Sequence, residues 1–417
     1  MFFAALGTAC GGPTAADSGY APDVVVSPQR ATLAPGDTFR LTATGPARKT
    51  DWASLNGGVA TVDSFGKVRA LALGTALIVA AEGRQADTAT VVVQPALRSV
   101  AVARHFVIGT AVEVGPYRGD AIYRQKLATQ YNGVTPEWEM KFMQLHPSPT
   151  RYNFTDADAF VSLAQADSMT IHGHTLVWYA ALPDWITQGT FTRAQLLQVL
   201  KDHITTVVGR YRGKIATWDV VNEAVGDEPQ APLRSTIWLQ VIGPDYIDSA
   251  FAWAHRADPA AKLYLNDYHA EGVNPKSDAI LSLVKGLRAR GIQVDGVGFQ
   301  AHFTLDNPAP PAASDLQANL ARFASAGFDV RVSEMDVRIA DSASVSAFTR
   351  QATIYSDMLD ACLRVGPRCV GFTTWGFTDK VSWIPKFYPG FGRALPFDAS
   401  YQPKPAVSAL LTRLQQP

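Results

Sequence analysis

The sequence has no surplus charge. Its 37 Lys and Arg balance 37 Asp and Glu, so no basic excess recommends a nucleic acid or an anionic membrane surface as partner. It has no apolar run of about 18 residues, which excludes an expected transmembrane helix. No His, Asp or Glu cluster has the spacing of a closed metal site, so neither metal nor cofactor is expected. Charged residues are only 18% and hydrophobic residues 47%, a balance that buries a large core and rules out disorder. The length of 417 residues suggests two or more domains. A neutral partner follows from this balance, and nine Trp with 10% aromatic residues overall suit either a large core or stacking against sugar rings.

Cysteine is scarce, with three in the chain. Cys10 ends "MFFAALGTAC", which lacks the basic start of a signal peptide but resembles the end of a bacterial lipoprotein signal. Gly7 stands at the usual Leu position, and Leu6 lies one residue too early. Cys10 is a lipidation candidate or an ordinary terminal cysteine, and export to the surface or medium is expected. Cys362 and Cys369 flank a Gly-Pro break. They can close a short disulfide loop in an oxidising compartment, or remain two core thiols.

Residues 24–94 carry short β-patterned runs separated by Gly, Pro, Asp or Asn, as in "VATVDSFGKVRAL" and "TATVVVQ". That spacing predicts a small all-β sandwich. Trp52, the "VATVD" run, the Gly66 turn and the Gly74-Thr75 pair make the segment resemble a bacterial immunoglobulin-like domain of group 2. A spacer or adhesion role is expected for it. Residues 1–23 then form the terminus and 95–103 a linker.

From residue 104 to 415 the rhythm changes. Apolar strands centred on "VIGTAV", "YNGVTPE", "TIHGHTLVW", "IATWDVVNE", "KLYLNDY", "VDGVGFQAHF", "DVRVSEMD" and "CVGFTTWGF" alternate with helical stretches such as 193–211 and 277–290. Eight strand–helix units predict an α/β fold, a (β/α)8 barrel, with polar residues gathered at the C-terminal strand ends where such barrels place their sites. The fourth strand ends in Asn222-Glu223 and the seventh in Glu334. Glutamates at these opposed positions form the pair that glycoside hydrolysis by two carboxylates requires. For either Glu alone, a solvated strand cap is the plainer reading, as a satisfied core ring is for His174 or His302.

The order of "GHTLVW", "WDVVNEA", "LNDY", "GVGFQAHF", "VSEMDV" and "TTWGFTDKVSWIP" resembles the family 10 glycoside hydrolases, retaining endo-β-1,4-xylanases. The resemblance implies Glu223 as acid/base and Glu334 as nucleophile, with xylan or a related β-linked polysaccharide as substrate and a monomeric enzyme. It implies Asn222 on the sugar 2-hydroxyl, and His302, oriented by Asp336, donating to Glu334. Glu137, Lys141, His174, Trp178 and Gln300 would hold the sugar, Trp375 and Trp383 wall it, and Tyr268 stack on the leaving-group side. The sequence departs from the family in two places. "EWEMKF" stands for Glu-Asn-Glu-Met-Lys-Trp, so Trp138 replaces Asn and Phe142 replaces Trp. Tyr179, Ala180 and Ala181 replace His-Ser-Gln. The adjoining glycone subsite thus loses amides and gains aromatic bulk, which leaves an exo-like enzyme or one for another β-glycan as an alternative. An inactive sugar-binding surface protein is the rival from outside enzymes.

Overall fold

The computed structural model describes residues 24–45, 49–305 and 308–416; Cys10 and the lipoprotein-like terminus lie outside the described residues. The chain divides into two compact units, one of residues up to 33 with 38–93 and the other of residues 34–37 with those from 94 onward.

The first unit is all-β. Strands Gly74–Glu82 and Gln85–Val93 form an antiparallel hairpin, flanked by Asp51–Ser54 and Arg30–Leu33. A three-stranded sheet of Thr38–Arg40, Lys67–Ala70 and Ala60–Val62 accompanies it. Alternation decides the inner face: Ala76, Ile78 and Ala80 on one strand and Ala89, Val91 and Val93 on the next are buried together with Val68 and Leu41, as a half-buried strand requires. Gly66 sits at φ 75°, and a Cβ there would collide with the Leu41 carbonyl and the Trp52 ring.

In the second unit eight parallel strands close on themselves. They are β1 (Ile108–Val112), β2 (Gly133–Pro136), β3 (Thr170–Gly173), β4 (Thr217–Asn222), β5 (Lys262–Asp267), β6 (Gly296–Phe299), β7 (Asp329–Ala340) and β8 (Cys369–Thr374). Each pairs with the next, and β8 pairs with β1. All five residues of β1 are buried, the expected state of a parallel strand covered on both faces. The covering helices follow their sequence pattern: Arg193–Arg210 buries Leu196, Leu200, Ile204 and Val207 and starts in a Thr192/Gln195 capping box, and Pro275–Ala289 starts on an Asn274 cap.

Three details differ from expectation or settle it. Residues 97–103, expected within a linker, form a helix whose Leu97 and Ala101 are buried in the barrel core. These residues are four apart, so one helical face carries both. The sixth run breaks after Phe299, because Ala301 takes φ 62°; His302–Thr304 then pairs separately with the long β7. Cys362 and Cys369 are joined by a disulfide, with Cα atoms 5.4 Å apart. Among the described residues no helix is long and apolar enough to cross a membrane.

Candidate active site

The C-terminal ends of the strands surround a cleft of about 570 Å³. Glu223 lies one residue past β4 at φ 58°, in the left-handed region that non-glycine residues seldom adopt. Its backbone N–H donates to the Asn266 carbonyl at 2.8 Å, which fixes the turn. This kink explains why a strand rich in Trp and Val ends in an amide and a carboxylate: Trp218, Val220 and Val221 belong to the core, whereas Asn222 and Glu223 line the cleft. Such backbone strain is tolerated where the surrounding bonds over-determine it.

Glu334 lies on β7, 4% exposed. It accepts hydrogen bonds from Asn266 Nδ2 at 2.6 Å and His302 Nε2 at 3.1 Å. His302 Nδ1 is held by Asp336 at 2.9 Å, and the same Asp336 oxygen accepts from Trp383 Nε1 at 2.8 Å. Burial by itself would raise the Glu334 pKa. The His174 imidazole nearby and the bond from His302 outweigh it and hold the carboxyl below its ordinary value. Burial likewise opposes charge on His302, but Asp336 and Glu334 on its two sides push its pKa well above the ordinary value. The pair is therefore imidazolium and carboxylate.

Glu223 has different company. Its Oε1 accepts from Gln300 Nε2 at 3.1 Å and Asn222 Nδ2 at 3.2 Å, both neutral amides. Asn266 Nδ2 also donates to Asn222 Oδ1 at 2.8 Å, so a chain of amides bridges the two carboxylates. Ser333 Oγ fixes Asn266 from behind at 2.6 Å. Glu334 accepts directly from the His302 cation, whereas Glu223 accepts from two amides and from the Tyr179 hydroxyl, all neutral donors, and such unlike surroundings divide a carboxyl pair between a nucleophile and a proton donor.

The other sequence-predicted residues converge here. Glu137, Lys141, His174, Trp178, Tyr268, Gln300, His302, Trp375 and Trp383 all line the cleft, and Asp336 stands behind His302. Lys141 Nζ lies 4.7 Å from the Trp178 ring centre, 5.0 Å from Trp138 and 5.9 Å from Trp375. Burial lowers its pKa, against the pull of Glu334, Glu137 and Glu223. Burial, reinforced by the charge of Glu113, pushes Glu137 up to about 8, so at neutral pH it is largely protonated and can donate. Tyr268 OH donates to Asp227 at 2.5 Å and accepts from Arg234 at 2.9 Å, which holds its ring in place. Trp138 and Tyr179, 44% and 39% exposed, also line the cleft; neither points away from it.

Sequence reasoning missed Asn266, Asp219, Asp227 and Arg234. Asn266 had a signal, since it shares a strand face with Tyr268 two residues on. Asp219 orients His174 through Nδ1 at 2.9 Å and lies equally close to His172 Nε2. His172 Nδ1 in turn meets the buried Arg331. Arg234 comes from an irregular loop and had none. Among the described residues, one trio of potential metal ligands comes together that sequence spacing does not reveal: His174, Asp219 and Glu334, with ligand atoms within 4.8 Å. These atoms are engaged with one another and with His172, Asn266 and His302. A second cavity of about 240 Å³ at the other end of the strands contains none of the predicted site residues.

The comparisons agree with this geometry. Residues 21–93 match the model of the bacterial Ig-like domain (group 2), and residues 96–413 that of glycosyl hydrolase family 10. Endo-1,4-beta-xylanase B of Thermotoga neapolitana is 40% identical over 295 residues, 70% of this chain and 84% of that protein. Endo-1,4-beta-xylanase D of Talaromyces funiculosus is 40% identical over 308 residues, 74% of each chain. The crystal structure of xylanase 10B from Thermotoga petrophila RKU-1 in complex with xylobiose superposes with a TM-score of 0.74 at 40% identity, covering 77% of this chain and 98% of that one. With most of its length inside the family model, and two glutamates brought together at the barrel mouth by β4 and β7, this chain belongs to glycosyl hydrolase family 10.

Proposed function

We propose that the protein is a retaining endo-β-1,4-xylanase acting as a single chain, with Glu334 as nucleophile and Glu223 as acid/base. The observation that carries this is the unlike company of the two glutamates, Glu334 against the His302 imidazolium and Glu223 among amides. In the first step a Glu334 oxygen attacks the anomeric carbon while Glu223 gives its proton to the departing glycosidic oxygen. In the second, Glu223 takes a proton from water, the water oxygen attacks the same carbon, and Glu334 leaves. Asn222 contacts the 2-hydroxyl; Lys141, His174 and Gln300 orient the ring; Trp375 and Trp383 wall it, and Tyr268 stacks beyond the cleaved bond. Export fits the disulfide, which persists in an oxidising compartment.

Linear xylo-oligosaccharides test the reading. The expected result is internal cleavage, read from product lengths and absent in Glu334→Gln; intact substrate, or single sugars released only from the non-reducing end, would sink it.

A pH prediction follows from the His302 pair. The Glu334 pKa is depressed in the folded protein and activity needs its ionised form, so the acid limb of kcat/KM lies below the ordinary Glu range. His302→Ala removes the imidazolium, and that limb should move to higher pH. An acid limb left where it was would show that His302 does not hold Glu334 ionised.

A second reading concerns specificity, favoured by the exposed Trp138 and Tyr179 within the cleft. A glycone side that stacks sugars, rather than hydrogen-bonding their hydroxyls, discriminates poorly between related β-1,4 chains. Trp138→Asn restores an amide, and the preference for xylo- over cello-oligosaccharides should then rise roughly tenfold, about one charge-free hydrogen bond's worth of discrimination. An unchanged ratio would mean Trp138 is neutral to specificity.

A further inference from the structure

Two Lys or Arg side chains line the cleft, Lys141 and Arg338, and their surroundings differ. Lys141 feels the carboxylates of Glu334, Glu137 and Glu223. Arg338, partly exposed, forms no ion pair with any carboxylate among the described residues. Its guanidinium lies over the Tyr388 ring, 4.1 Å from the ring centre. Stacking uses the face of a guanidinium and leaves its N–H edge free to fork onto a carboxylate.

The strand fixes its place. Glu334, Asp336 and Arg338 alternate along β7 on one face, and Arg338 pairs in register with Thr304, as Asp336 does with His302. Four residues of extended chain span about 13 Å. Arg338 therefore cannot reach the carbon that Glu334 attacks. It can meet only a part of the substrate away from the cleaved bond. The rim beside it is aromatic: Phe387 is 61% exposed, stands 5.3 Å from the Trp383 ring, and lines the cleft with Tyr388. An apolar rim next to a cation with no ion-pair partner among the described residues suits a sugar ring that bears a carboxylate, and not one more neutral sugar.

We propose that Arg338 receives the carboxylate of a uronic-acid side group carried by the β-linked chain, making the cleft selective for acidic branches. The proposal rests on the xylanase reading of the cleft. In that setting Arg338 is a specificity determinant and takes no part in bond cleavage.

The test compares a xylo-oligosaccharide bearing one uronic-acid branch with its carboxyl-reduced, neutral counterpart, using the full chain. The wild-type protein should favour the acidic substrate in kcat/KM, and added salt should erode the preference. Arg338→Met should cut the acidic-to-neutral ratio roughly tenfold, the scale of one charge-assisted hydrogen bond, and Arg338→Lys should keep part of it. A ratio near one in the wild type, or a ratio that Arg338→Met leaves unmoved, overturns the proposal. The wild-type comparison holds even if a variant fails to fold. Failure to cut unbranched xylo-oligosaccharides would instead sink the xylanase reading, so the two failures are distinct.

Discussion

Glu334→Gln should lower kcat/KM on xylo-oligosaccharides by a factor on the order of 10⁴ or more, the scale seen when a covalent nucleophile is removed. The amide is nearly isosteric: its oxygen can still accept from Asn266 Nδ2, which contacts Glu334 at 2.6 Å, and its N–H can donate to His302 Nε2, 3.1 Å from Glu334, once that nitrogen has lost its proton. What it lacks is the negative charge that attacks the anomeric carbon and is balanced by His302. Substrate affinity should therefore survive while turnover disappears. Binding measured by calorimetry and turnover measured by product release separate the two. A variant that retained more than a few per cent of wild-type turnover would remove Glu334 from the nucleophile's role.

Glu223→Ala should act differently, and the difference identifies the acid/base. On xylo-oligosaccharides, whose leaving group is a poor one, loss of the proton donor should cost roughly 10²- to 10⁴-fold in kcat/KM. On an aryl xylobioside with an acidic phenol as leaving group, the first bond breaks without proton assistance. That step should stay close to wild type, while the second step, which needs a base for water, slows. A burst of phenol followed by slow turnover is expected, and azide, an anion that needs no base, should speed the second step and appear in the product. Equal losses on both leaving groups, with no azide effect, would assign proton transfer elsewhere.

Much of the molecule was legible before folding was considered. Alternating runs gave the sandwich strands, whose inward positions such as Ile78 and Val91 are buried. The repeating strand–helix rhythm gave the barrel, and the helical pattern of 193–211 reappears as Arg193–Arg210. Other features were illegible for identifiable reasons. The 95–103 stretch has too little periodicity to announce a helix, and its Leu97 and Ala101 acquire meaning only through the core that receives them. A separation of seven positions between cysteines allows a bridge without requiring one, and the close approach of Cys362 and Cys369 follows from the turn between a helix and β8. Asp227 and Arg234 lie on irregular chain and reach Tyr268 with no periodicity to give them away.

The sequence by itself determined which chemistry is on offer: two glutamates at strand ends, amides and aromatics at matching ends, and no charge imbalance for an anionic partner. Side-chain alternation and strand order suffice for that, because both are local properties of the chain. Only the tertiary structure decided how the glutamates differ. The His302 imidazolium that keeps Glu334 ionised, the Asn266 bridge, and the stacking of Arg338 on Tyr388 at the cleft wall depend on distances between segments far apart in sequence. Electrostatic character is set by what stands within a few ångströms in space, and closure of the barrel is what brings those groups together.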